Sequence, residues 1–147
     1  MMCVRLATAA DVDTLFEIRT SVRENHQSRE ELATIGVTPE SITAALDGTS
    51  RAWIAENETG RSLGFSMADR AQGTVFALFV RPDAERRGAG RTLLAVAEAW
   101  LFANGWTEIW LLTGVDPSLR AHHLYRKAGW KAVGTEDGQV RYVKPAE

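Results

Sequence analysis

The chain is poor in cysteine. Among its 147 residues Cys3 stands alone, which excludes an intrachain disulfide and a cysteine zinc site. It also lacks surplus positive charge: 17 Lys and Arg against 19 Asp and Glu give a formal charge of -2, whereas general binders of nucleic acid or membrane surfaces ordinarily carry excess basic charge. No apolar run is long enough to cross a bilayer, and Met1-Met2-Cys3-Val4-Arg5 meets charge too soon for a secretory leader, so a cytoplasmic location is the expectation. Repeats, low-complexity tracts and long linkers are missing as well. A composition of 45% apolar and 24% charged residues then points to one soluble domain, spanning 1–147 and able to bury a core.

What the chain does have is a distinctive stretch from Thr74 to Leu94. Val75 to Val80 is an unbroken apolar run, β-branched and aromatic, of a length that suits a strand covered on both faces. Pro82 stops it. Arg86-Arg87-Gly88-Ala89-Gly90 forms a short turn, after which Leu93, Leu94, Ala97, Trp100 and Leu101 recur at helical spacing. Strand, glycine turn and helix together suit an anion. Glycines let the backbone curl so that unpaired N–H groups of the first helical turn converge on one point, and the helix dipole favours negative charge there. Arg86, Arg87 and Arg91 add full charges, making a phosphate or pyrophosphate the natural guest; the alternative is a plain connection with a solvated basic rim. No Gly-Lys-Ser or Gly-Lys-Thr follows, so this is not a Walker loop, and the third glycine of the dinucleotide fingerprint is missing.

The remainder reads as short alternating elements. Cys3 to Ala7 is an opening strand, and Thr8 to Asp11 has capping-box spacing ahead of a helical stripe through Val12, Leu15, Phe16, Arg19 and Val22. Ser21 to Ser28 is densely polar. It reads as a solvated helix end, although Arg23, Glu24, Asn25 and His26 also supply the groups of a small polar binding site. Residues 29–37 read as a loop. Thr38-Pro39-Glu40 starts a second helix that stops at Gly48. Ala52 to Glu56 and Leu63 to Ala68 form a hairpin about Asn57 to Gly60. After Asn104-Gly105, Thr107 to Thr113 is the next buried strand, a right-handed parallel neighbour of the central one. Asp116 and Pro117 are expected to open a helix that Gly129 ends. Trp130 to Thr135 and Val140 to Lys144 then pair about an Asp137-Gly138 turn.

The turn, written Glu85-Arg86-Arg87-Gly88-Ala89-Gly90, resembles the acyl-CoA pyrophosphate loop of the GNAT superfamily of N-acetyltransferases, Gln/Arg-x-x-Gly-x-Gly/Ala, with Glu85 departing from the first position. The helix from Ser118 to Trp130 resembles the family's second marker, with Ser118 where Asn is common and Ala121, Tyr125, Gly129 and Trp130 matching. The element order β, α, α, β, β, β, α, β, α, β, β is similar to the GNAT fold over nearly the whole chain. That resemblance implies an α/β fold (α+β by some schemes), a mostly antiparallel twisted sheet of six to seven strands flanked by about four helices around a central parallel βαβ unit.

The resemblance also implies acetyl-CoA as cosubstrate and transfer of its acetyl group to an amine of a small molecule or peptide by direct attack in a ternary complex. Nucleic acid and membranes are not expected partners; many relatives dimerise, which leaves the oligomeric state open. Its diphosphate would lie on Arg86, Arg87, Gly88, Ala89, Gly90, Arg91 and Thr92, with Ser118 close by. Its pantetheine arm would pair with main-chain groups of Leu78, Phe79 and Val80, a backbone N–H near Phe79 or Val80 steadying the oxyanion. Tyr125 is placed beside the sulfur as general acid, or else is a packed core tyrosine. No carboxylate occurs between Thr74 and Val80, so the base is sought elsewhere, with Glu24 ahead of Glu56, Asp69 and His26, or a water chain. His122 and His123 read as surface residues, and no metal is expected. The alternative function is an acyl-CoA-binding module of this family that has lost turnover.

Overall fold

A computed structural model describes residues 2–23, 26–85, 87–116 and 119–147. Strand β1 (Cys3–Leu6) leads through a 3-10 turn into α1 (Val12–Ser21), α2 (Arg29–Thr34) and α3 (Pro39–Asp47). Strands β2 (Ser50–Glu56), β3 (Ser62–Asp69) and β4 (Thr74–Val80) follow, then α4 (Ala89–Ala103), β5 (Glu108–Gly114), α5 (Arg120–Lys127), β6 (Lys131–Glu136) and β7 (Gln139–Pro145). All seven strands join one sheet in the order β1-β2-β3-β4-β5-β7-β6, antiparallel except for the β4/β5 pair. This is the mixed α/β architecture expected, with one more helix.

That extra helix, α2, replaces part of the expected loop. Ser28 caps it, accepting from the Glu31 N–H while the Glu31 carboxylate accepts from the Ser28 N–H, a capping box that Ser28-Arg29-Glu30-Glu31 spells out. The caps at Thr8 and Thr38 form as expected, and Gly48 ends α3. At Thr8, the Arg5 guanidinium and the Thr8 N–H together hold the Asp11 carboxyl down at about 2. The start of α5 differs from expectation. Its N-cap is Leu119 rather than Asp116, and Pro117, expected first inside, lies outside the described residues.

Period-2 alternation divides the core. Trp53, Ala55 and Leu63 face α4, where Leu93, Leu94, Ala97 and Leu101 are buried; Ala52, Ile54, Phe65 and Met67 face Leu15 and Ile18 of α1. Both faces being covered explains why these strands read as continuous apolar runs. A polar tie closes the α4 side. Buried Glu98 accepts from Trp130 Nε1 (2.8 Å) and Lys144 Nζ (2.6 Å), and Lys144 also donates to the Ala128 carbonyl, joining α4 to the end of α5 and to β7.

The central strand departs from the expectation of cover on both faces. Thr74 and Val75 are buried, but Phe76 is 46% exposed and Ala77 to Val80 are only partly covered. The register with β3 gives the reason. Met67 faces Ala77 while Ala68 faces Val75, so Phe76 is the extra residue of a bulge, which bends the strand. Towards β5 the ladder holds a single pair, Thr74 with Trp110, and the two strands part beyond it.

Candidate active site

The parting of β4 from β5 leaves main-chain groups without a ladder partner. Beyond the bulge, Arg81 donates its N–H to the Leu63 carbonyl (2.8 Å), and strand alternation therefore turns the Phe79 N–H toward β3 as well. The N–H and C=O groups of Leu78 and Val80 face the open edge. Of the two oxyanion donors expected from sequence, this geometry favours Val80 and not Phe79.

At the end of the same strand the glycine turn feeds α4. Gly88 is its N-cap, with φ 83° and ψ 3°, in the left-handed region that costs a glycine least. The first helical hydrogen bond runs from the Thr92 N–H to the Gly88 carbonyl (3.1 Å), and the Thr92 hydroxyl bonds the same oxygen (3.0 Å). The N–H groups of Ala89, Gly90 and Arg91 are thus outside the helical ladder. Arg87 and Arg91 are exposed beside them, while Arg86 lies outside the described residues. A Cβ at Gly90 would stand 3.4 Å from Leu124 and 3.7 Å from Val80, so the turn, the end of β4 and α5 meet at this point. Glu85 pairs with Arg120 at the start of α5, binding turn and helix again.

A cavity of about 650 Å³ opens from the cleft. Leu78, Phe79, Thr113 and Tyr125 line its cleft end; Leu15, Phe16, Leu32 and Ile35, from α1 and the segment through α2, line the other. Tyr125 is buried, its ring 5.5 Å from Tyr142 and 6.2 Å from Trp130. Burial, with Tyr142 adding to it, raises its pKa above the ordinary tyrosine value. No described residue forms a hydrogen bond to its hydroxyl. The tyrosine is therefore packed in the core, as one reading of it expects, and also lines the cavity.

The other candidates separate. Glu24 and Ser118 lie outside the described residues. Glu56 pairs with Arg5, and Asp69 accepts from the Thr49 hydroxyl and the Ala71 N–H, so both are engaged away from the cavity. His26 does line it. Its Nδ1 lies 2.9 Å from the Val22 carbonyl, which can only accept, so Nδ1 carries a proton and the neutral ring has its lone pair on Nε2. His123 is exposed as expected, but His122 is buried. The Gly114 carbonyl fixes the proton on His122 Nε2 (2.8 Å), and Nδ1 accepts from the Tyr142 hydroxyl (2.8 Å), tying α5 to the free end of β5.

A family model described as acetyltransferase (GNAT) family matches residues 10–130. The chain belongs to the GNAT acetyltransferase family. A mycothiol acetyltransferase of Propionibacterium freudenreichii subsp. shermanii is 35% identical over 100 residues, which are 63% of this chain and 31% of that protein. The chain thus spans less than a third of the curated relative's length. Among solved structures, PaiA N-acetyltransferase from Thermoplasma acidophilum in complex with coenzyme A superposes with TM-score 0.83 at 18% identity, covering 99% of each chain. A GNAT-family acetyltransferase from Staphylococcus aureus gives TM-score 0.80 at 16% identity, covering 100% of each. At such identities the likeness establishes the GNAT fold.

Within this GNAT domain Arg19 has a place that its position in the α1 stripe does not announce. It lines the cavity, partly buried, with its guanidinium carbon 4.3 Å from the Phe79 ring centroid and Nη2 donating to Gln27 Oε1 (2.9 Å). Its Nη1 is buried without a partner among the described residues. The signal was a cation in an otherwise apolar helical stripe.

Proposed function

We propose that this chain transfers the acetyl group of acetyl-CoA to a primary amine by direct attack in a ternary complex. One observation carries the reading: beyond its bulge the strand leaves the main chain of Leu78 and Val80 on an open edge, and Leu78 and Tyr125 both line the adjoining cavity. The unladdered N–H groups of Ala89 to Arg91, with Arg87 and Arg91, suit the diphosphate of the cosubstrate; Arg86 and Ser118 are assigned to the same site by the family pattern. The pantetheine arm adds to the open edge of β4 as a strand would.

The chemistry divides among the residues in order. An amine of ordinary pKa about 10.4 must shed a proton before it attacks. Glu24 and His26, from the segment after α1, are the groups assigned to take it, His26 through the Nε2 lone pair of its neutral ring. The nitrogen lone pair then forms a bond to the thioester carbon. The Val80 N–H stabilises the oxyanion, and collapse breaks the C–S bond, returning the carbonyl. Tyr125 donates a hydrogen bond to the sulfur as it leaves, and the proton that the attacking nitrogen sheds on becoming an amide passes to the thiolate, which ends as thiol. Cys3, exposed on β1, takes no part.

Thiol release from acetyl-CoA, measured across amines, amino acids and peptides, tests the reading. Amine-dependent release supports it. Tight CoA binding without release in any mixture would instead assign the chain to the non-catalytic branch.

A further inference from the structure

The geometry points to Arg19 as the residue that selects the acceptor, a small apolar molecule carrying its amine and a carboxylate close together, in the manner of an amino acid. The inference rests on the acetyl-transfer reading for the amine but on separate observations for the acid. The far end of the cavity is walled by Leu15, Phe16, Leu32 and Ile35, and no described lining residue carries a carboxylate. A polycationic acceptor therefore finds no described counter-charge there. Arg19 brings one fixed positive charge into this apolar space, and a guanidinium stays protonated throughout the physiological range.

Its hydrogen-bonding capacity is only partly used. Nη2 donates to Gln27, the guanidinium plane packs on Phe79, and Nη1 is buried and unpartnered among the described residues. A buried donor left unsatisfied is costly, and a carboxylate that accepts from it removes that cost while matching the planar fork. Phe79 sets the scale. It sits between Leu78 and Val80, the residues whose main chain faces the reacting thioester, so an anion held against Arg19 lies within one small molecule's length of the acetyl group. Arg23, the cation of the polar segment after α1, is exposed and does not line the cavity.

The test compares L-phenylalanine and L-leucine with their methyl esters and with phenethylamine and isopentylamine. Wild-type protein should show kcat/KM for the free acids at least about tenfold above the esters and amines, an advantage that Arg19→Gln erases by raising KM for the acids alone. Arg19→Lys should recover part of it, since it keeps the charge but not the fork. Calorimetry of the CoA-bound protein with L-phenylalanine and phenethylamine reads the same preference without turnover. If nothing is acetylated, yet acid binding is lost in Arg19→Gln, the transfer reading fails while this one stands. Equal binding of acid and amine, or a preference that survives in a folded Arg19→Gln protein, overturns it.

Discussion

Tyr125 shows how one residue's burial limits its chemistry. Desolvation raises its hydroxyl above the ordinary tyrosine value of about 10, whereas a thiol titrates at about 8.5. Handing a full proton to a thiolate therefore runs uphill, so the role proposed for the hydroxyl is that of a hydrogen-bond donor to the leaving sulfur. Losing a hydrogen bond to a charged group costs roughly 1.5–3 kcal/mol, so Tyr125→Phe should lower kcat by roughly tenfold to a hundredfold with little change in CoA affinity, checked by steady-state kinetics and CoA titration. A loss of about ten-thousandfold would restore the general-acid role. Linkage adds a second readout. Because the folded-state pKa is the raised one, the stability tied to it is complete below about pH 10 and declines as pH rises beyond that value. Urea unfolding between about pH 8 and pH 11 should show this alkaline decline in the wild type and a shallower one in Tyr125→Phe.

At this scale legibility depended on whether a side chain's partners are local. The burial of Tyr125 was legible because its apolar stripe is a short run of sequence. His122 was not, because its burial is set by Tyr142 and Gly114, which come from β7 and β5. Arg19 was visible as a misfit in its stripe, but only the meeting with Phe79 and Gln27 gives it meaning.

Elements were legible where their ends are written in capping residues. Thr38-Pro39 and Asp137-Gly138 behave as their local chemistry dictates, Asp137 and Gly138 having φ 50° and 76°. Asp116-Pro117 carried an equally good start signal, yet α5 begins at Arg120 after Leu119, next to the Glu85 ion pair. The turn into α4 gives the prediction proper to this scale. Gly88 has open space where a Cβ would stand, but its φ of 83° penalises any branched residue. Gly88→Val should cost about 1–2 kcal/mol of stability and weaken CoA binding at least about tenfold by re-aiming the Ala89 to Arg91 N–H groups. Gly88→Asn, which tolerates the left-handed region, should retain most of both. Denaturant unfolding and CoA calorimetry measure the pair, and equal binding by Gly88→Val would remove the turn from the site.

Over the whole molecule, the open edge of the central strand follows one residue too many. The run Val75 to Val80 contains no glycine or proline to announce a bulge, so the sequence reads as an ordinary covered strand. The defect exists only in its register against β3. The parts of the site lie along the bent strand: beyond Thr74 and Trp110 β4 has no further ladder pair with β5, and Leu78, Phe79 and Tyr125 line the cavity beside it. Phe76 can be removed without turning its neighbours over. Val75, Leu78 and Val80 pack on the α4 side and Ala77 and Phe79 on the α1 side, so deleting Phe76 leaves the two-residue alternation intact. The shortened strand can then continue its ladder with β5 beyond Thr74 and Trp110. The expected protein is folded, at least as stable to urea as the parent, and at least about tenfold weaker for CoA, because the edge that the pantetheine arm needs is already paired. Amide hydrogen exchange of Leu78 and Val80 should slow in the same variant. A folded deletion variant that bound CoA as tightly as the parent would show that the cleft owes nothing to the bulge.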